Sequence, residues 1–203
     1  MKKGRLIVFE GIDGSGKDTQ IDMLYNSLKE QGKKVKVVSQ LDETSITGKT
    51  IRSMLEDGKE MGSKLRIALL YLTELTYNVE KEGGINDLLE QGYIVISNRF
   101  HYSTEAYVGH FGCEATDKVI TTVQDSLVKP DLVIYLDVAT NRAIDRLTGF
   151  KDFWEKKTKL EKIKNNYDKI CSENKENNII KVDNNWAPEH AAETISILLD
   201  KLK

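Results

Sequence analysis

The sequence predicts an α/β fold, a five-stranded parallel sheet flanked by helices in three layers. Five short apolar runs, mostly β-branched, are spread along the chain. Amphipathic stretches with helical spacing separate them. A glycine-rich segment, Gly11 to Gly16, joins the first run to the first helical stretch. Strands that alternate with helices favour a doubly wound parallel sheet, with ligands at the carboxyl ends of its strands.

The first strand is read at Arg5–Phe9, around Leu6-Ile7-Val8-Phe9. Ile21, Leu24 and Leu28 then mark the buried stripe of a helix. Further strands are read at Lys34–Ser39, Tyr93–Ser97, Leu132–Asp137 and Ile179–Val182. The polar segment Ser172–Asn178 reads as a loop before the last of these. Pro188 suits a first helical turn, and Ile195, Leu198, Leu199 and Leu202 form one stripe after it. No repeat or long linker interrupts the chain, so one domain over residues 1–203 is expected.

Bulk composition narrows the class. Hydrophobic residues at 39% and charged residues at 31% describe a soluble globular chain with a substantial core. A formal charge of −2 gives no footprint for a nucleic-acid polymer. No apolar run approaches the ~18 residues that would suggest a membrane span. The first strand begins too close to Met1 for a signal peptide, so a cytoplasmic location is expected. Cys113 and Cys171 lack metal-ligand spacing and are expected as reduced thiols.

The chemistry concentrates in Phe9-Glu10-Gly11-Ile12-Asp13-Gly14-Ser15-Gly16-Lys17-Asp18-Thr19-Gln20. Strand, glycine-rich turn, lysine and helix follow in the order of a phosphate-binding loop. Its glycines let the backbone wrap an anion with N–H groups inward. Lys17 adds a point charge, and the helix N-terminus adds its dipole. The expected nucleotide phosphate contacts are Gly11, Ile12, Asp13, Gly14, Ser15, Gly16, Lys17, Asp18 and Thr19. One position departs from the pattern. A Ser or Thr hydroxyl that ligates Mg²⁺ normally follows the lysine, and here Asp18 stands there.

Two further segments stand beside this loop. They are Asn98-Arg99-Phe100-His101-Tyr102-Ser103-Thr104-Glu105-Ala106-Tyr107 and Pro130-Asp131-Leu132-Val133-Ile134-Tyr135-Leu136-Asp137-Val138. Together with the loop they resemble the thymidylate kinases, nucleoside-monophosphate kinases of the P-loop class, over nearly the whole chain. The resemblance implies a three-layer P-loop kinase fold, ATP with Mg²⁺ as phosphoryl donor, a deoxynucleoside monophosphate as acceptor, and a homodimer. Lys17 and Arg99 become catalytic, Arg99 as the grip on the acceptor phosphate. Asp13 matches a carboxylate that meets the acceptor's 3′-hydroxyl; its plainer reading is an Asx turn. Tyr71 matches a ring that stacks on the acceptor base, and otherwise packs in the core. Tyr107 matches a tyrosine that closes against the sugar. Ser103 and Thr104 approach the base or cap a helix, and Arg52 meets a phosphate or lies on a solvated helix face.

The chain also departs from the family. Asn98 replaces an aspartate, Leu75 stands where a base-reading arginine is usual, and Val108 replaces a common glutamine. The lid, near 147–157, is short: only Leu147-Thr148-Gly149-Phe150-Lys151 separates Arg146 from a helix expected to start near Asp152. Arg146 and Lys151 are therefore the candidate catalytic cations there. Asp18 and Asn98 together suggest that a carboxylate has moved across the Mg²⁺ site, making Asp18 a metal ligand. The reading is an ATP-dependent kinase that converts dTMP to dTDP. Two alternatives accompany it: a kinase for another pyrimidine or modified deoxynucleotide, and a nucleotide-binding protein with weakened catalysis.

Overall fold

The computed structural model describes residues 3–56, 62–108, 114–147, 154–174 and 178–202. In chain order the elements are β1 (Arg5–Glu10), α1 (Lys17–Glu30), β2 (Val35–Ser39), α2 (Ile46–Glu56), α3 (Lys64–Glu80), α4 (Ile85–Glu90) and β3 (Ile94–Asn98). Then come α5 (His101–Val108), α6 (Glu114–Ser126), β4 (Leu132–Asp137), α7 (Thr140–Arg146), α8 (Lys157–Glu173), β5 (Ile179–Asp183) and α9 (Pro188–Lys201). The five strands form one sheet in the order β2-β3-β1-β4-β5. Every pairing is parallel.

The alternation of side chains along each strand divides the core into two layers. Leu6, Val8, Val95, Val133 and Tyr135 face one side of the sheet. Ile7, Phe9, Ile96, Ile134 and Leu136 face the other. Because both faces are buried, the strands read as continuous apolar runs rather than alternating ones. Helices α1 and α9 cover the second face through Ile21, Leu24, Leu28, Ala191 and Ile195. The first face is covered by α2, α3, α5 and α8, whose buried residues include Ile51, Leu72, Ala106 and Leu160. The site lies where the register ends. β1 pairs with β3 as far as Phe9 opposite Asn98, and both chains leave the sheet at the same edge.

Two sequence expectations are corrected here. The helix after the lid begins at Lys157 rather than near Asp152, because Trp154, Glu155 and Lys156 are not helical. The polar stretch from Ser172 starts inside α8, which continues to Glu173. Cys171 is a free thiol; Cys113 lies outside the described residues.

His101 opens α5 and is 7% exposed. Its Nδ1 lies 2.8 Å from the Gln124 amide nitrogen of α6. An amide N–H donates, so Nδ1 accepts and the ring is neutral. Burial, assisted by nearby Lys129, lowers its pKa to about 3. The unfolded chain takes up a proton here near pH ~6.5, while the folded chain does not until far lower pH. Stability is thus lost as pH falls through that window, by at most ~1.4 kcal/mol per pH unit. His101→Phe is expected to shrink the fall in melting temperature between neutral pH and about pH 4.5, measured by calorimetry.

Candidate active site

After Glu10 the chain turns through Gly11, Gly14 and Gly16, all with positive φ, into α1. At Gly14, φ is 76°, and a Cβ would lie 2.2 Å from the Ala143 carbonyl oxygen of α7. A side chain there would collide with backbone, which fixes glycine at this point. Lys17 curls back over the loop. Its Nζ donates to the carbonyls of Gly11 at 3.1 Å and Ile12 at 3.0 Å, with Ser15 Oγ at 3.4 Å. Asn184, beyond β5, clamps the loop from outside by donating from Nδ2 to Ser15 O at 2.6 Å. Nothing in the sequence pattern marked Asn184.

Arg99 follows β3 with φ at 70°, a left-handed backbone on a residue that is not glycine. Such a turn costs ~1–3 kcal/mol and persists only when its surroundings hold it. Here they do. Its N–H donates to Phe9 O at 2.9 Å, and Ser97 Oγ donates to its carbonyl at 2.7 Å. Just beneath, Glu10 is 1% exposed. Its Oε1 accepts from the N–H of Phe100 at 2.7 Å and of Ser103 at 3.3 Å. Its Oε2 accepts from Ser103 Oγ at 2.6 Å and Tyr167 OH at 2.8 Å. Burial pushes the Glu10 carboxyl up, against Arg99 and these donors.

The Arg99 guanidinium joins the two halves of the site. One terminal nitrogen donates to Gly11 O at 2.8 Å and Ser103 Oγ at 3.1 Å, with Tyr167 OH at 3.3 Å. The other donates to Asp13 Oδ1 at 2.5 Å and Tyr107 OH at 3.0 Å. Tyr107 OH donates in turn to Asp13 Oδ2 at 2.7 Å. Burial raises the Asp13 carboxyl, but Arg99 and Lys17 outweigh it and hold Asp13 below its usual range.

These groups border a cavity of about 590 Å³. Asp13, Gly14, Gly16, Lys17, Asp18, Thr19, Arg99 and Arg146 form its loop side. Arg52, Tyr71, Ser103, Thr104 and Tyr107 form the opposite side. Of the expected residues, Gly11, Ile12 and Ser15 lie behind this surface. The carbonyls of Gly11 and Ile12 receive Lys17, while the Ile12 side chain packs in the core. Ser103 faces Glu10 and Arg99 rather than capping α5. Thr104 Oγ1 accepts from Gln40 Nε2 at 2.8 Å. Arg52 pairs with Glu43, and Arg146 donates to Asn184 O at 3.0 Å. Lys151 lies outside the described residues, as do 148–150 and 152–153 of the lid.

Leu75 and Val108 are 0% and 1% exposed and belong to the core rather than to the cavity wall. Their lack of hydrogen-bonding atoms therefore does not make the cavity apolar. Gln40, Ser39 and Trp154 line it instead, and no motif singled them out. The 40–48 segment that carries Gln40 is pinned by buried Glu74 of α3, which accepts from Asp42 N–H at 3.2 Å and Ser45 Oγ at 2.7 Å. Trp154 meets the Tyr107 ring edge-on at 5.5 Å.

A phosphate loop thus faces a second polar wall across one cavity, with an arginine tied to both. A sequence model of the family described as thymidylate kinase matches residues 9–195. The chain belongs to the thymidylate kinase family. It is 37% identical over 170 residues to a thymidylate kinase of Thermosipho africanus, covering 81% of this chain and 83% of the relative. It is 38% identical over 174 residues to one from Fervidobacterium nodosum, at 83% and 85% coverage. The solved thymidylate kinase of Candida albicans superposes with a TM-score of 0.83 at 25% identity, over 98% of this chain and 92% of that one. Family membership makes this chain a kinase, a nucleotide-binding phosphotransferase with the P-loop kinase fold.

Burial lowers the pKa of Lys17 to about 7, with Arg99 adding to the effect against Asp13, Glu10 and Asp18. An anion in the loop opposes that shift and restores the ammonium. Above neutrality, binding must therefore be accompanied by proton uptake at Lys17. Calorimetric titration of ADP, whose phosphates are already fully ionised at about pH 8.5, in buffers of different ionisation enthalpy, is expected to show uptake approaching one proton. Lys17→Ala is expected to abolish it.

Proposed function

We propose that the chain transfers the γ-phosphoryl group of ATP to the 5′-phosphate of dTMP, giving ADP and dTDP. The observation that carries this reading is the Arg99 guanidinium, bonded to the phosphate loop through Gly11 and Asp13 and to the opposite wall through Ser103 and Tyr107. Whatever sits in the cavity on either side of it is held at a fixed separation.

In this reading Gly11 to Thr19 hold the ATP phosphates. Lys17 releases the loop carbonyls and follows the outer phosphates, where its charge stabilises the transition state most. Arg99 meets the acceptor phosphate, with Arg52 at its far side. Asp13 accepts from the 3′-hydroxyl, and Tyr107 closes against the sugar. Tyr71 stacks on the base, which Ser103 and Thr104 approach. Arg146, at the end of α7, and Lys151, in the lid near 147–157, supply cationic charge. No covalent intermediate is required; alignment and charge neutralisation carry the reaction. The attacking phosphate oxygen forms a bond to the γ-phosphorus as the bond to the β–γ bridging oxygen breaks. ADP leaves with that electron pair.

Mg²⁺ accompanies ATP in this reading and supplies charge neutralisation at the phosphates. Among the described residues no group of three or more His, Cys, Asp or Glu side chains could hold a metal by itself. Asp18, which lines the cavity, is the carboxylate that would hold the cation, with phosphates and waters as the remaining ligands. The whole chain acts as one catalytic domain, paired as a homodimer, in the cytoplasm. No described helix is long and apolar enough to cross a membrane.

A second acceptor reading rests on the cavity wall. The wall includes Ser39, Gln40 and Thr104, hydroxyl- and amide-bearing residues whose chemistry suits other pyrimidine deoxynucleotides as well as dTMP. The Candida albicans relative is itself described as having broad substrate specificity. ADP release measured across dTMP, dUMP, dCMP and the purine monophosphates decides between the two. The primary reading expects the highest kcat/KM with dTMP. Lys17→Ala should lower kcat at least ~100-fold with the fold intact. Absence of turnover with every acceptor, or near-normal kcat in Lys17→Ala, would overturn the kinase assignment.

A further inference from the structure

We propose that Asp18 is the protein's own ligand for the nucleotide-bound Mg²⁺, held in place by Asn98, and that it makes nucleotide binding depend on the cation. The inference rests on the reading of the loop as a nucleotide site.

Asp18 directly follows the loop lysine, in the first turn of α1, and its side chain lines the cavity. A neutral hydroxyl ordinarily serves the metal from this position. The carboxylate here does not hang loose. Asn98, the last residue of β3, donates from Nδ2 to Asp18 Oδ1 at 2.8 Å. Since Phe9 and Asn98 are register partners, the two strands that border the loop fix this contact. Among the described residues the second oxygen of Asp18 accepts no hydrogen bond. One oxygen is therefore anchored and the other is available. The Asn98 Oδ1 is buried and without a hydrogen-bond partner, which leaves an acceptor beside the same carboxylate.

The charge of Asp18 has a consequence that a hydroxyl would not have. Without a divalent cation, a carboxylate beside a polyphosphate repels it, and Lys17 answers only part of that repulsion. With the cation between them, the same charge attracts. Asp18 therefore opposes free nucleotide and favours the metal complex, so nucleotide and metal binding become strongly coupled. Coupling factors between sites commonly span ~5- to 150-fold, and a charge in direct contact belongs at the upper end.

The test is calorimetric titration of ADP, with excess Mg²⁺ or with EDTA, into the wild type and into Asp18→Asn and Asn98→Ala. Asp18→Asn keeps the shape and removes the charge. The wild type is expected to bind ADP about 100-fold more tightly with Mg²⁺ than without. In Asp18→Asn the ratio should fall to about fivefold, partly because metal-free ADP binds better. Asn98→Ala should fall between them. In parallel, the Mn²⁺ spin-resonance signal of the ADP complex should report weaker Mn²⁺ binding in Asp18→Asn. An equal ratio in wild type and Asp18→Asn, or metal-free binding that weakens in the variant, would overturn the role of Asp18 and leave the kinase reading intact. Failure of the wild type to bind ADP under either condition would overturn both.

Discussion

One residue in a conformation it would not choose freely holds this site together. Arg99 sits at φ 70° where β3 ends, and the turn aims its guanidinium back across the ends of β1 and β3. Without that turn the side chain would not reach both Gly11 of the loop and Tyr107 of α5. The strain is answered locally. Backbone bonds to Phe9 and from Ser97 fix the turn, and buried Glu10 takes the next free N–H, that of Phe100. Glu10 is a costly residue to bury, and four donors from three residues make it tolerable. The phosphate loop and the opposite wall therefore form one rigid unit.

That rigidity matches what phosphoryl transfer requires. The chemistry asks for little beyond alignment of two anions and a supply of positive charge. Lys17 waits against its own loop carbonyls at low charge cost, since burial lowers its pKa to about 7. Arg99, by contrast, stays charged, with its pKa held well above the ordinary value despite its burial. The two cations differ in kind: one responds to the ligand, and the other is part of the frame.

Much of the architecture was legible because each element followed one physical rule. All five strands fell within a residue of their expected ends, since apolar runs buried on both faces leave a strong signal. Pro188 opened α9, and the glycines of the loop took the positive φ values their spacing implied. The lid was less legible. Nothing in its polar residues separates helix from extended chain, and the helix start moved to Lys157. Within the site, Asp13, Lys17, Arg99, Ser103 and Tyr107 lie at one cavity, Gly11, Ile12 and Ser15 lie behind it, and Glu10, Gln40, Trp154, Tyr167 and Asn184 were missed. Their roles depend on contacts across about 50 to 170 residues of sequence, which a local pattern does not carry. Leu75 teaches the opposite lesson. Its place in the family pattern suggested a wall of the base pocket, yet it lies fully in the core.

The most direct measurement of the central claim is steady-state kinetics of Arg99→Lys alongside its ADP affinity. Lysine keeps the charge but lacks the planar fork that reaches several acceptors at once. If Arg99 sets the spacing between the two halves of the site, the variant should fold, bind ADP within a few-fold of the wild type, and lose kcat/KM for the acceptor by at least ~100-fold. Acceptor turnover close to that of the wild type would contradict the account, because a simple positive charge would then do all that Arg99 does.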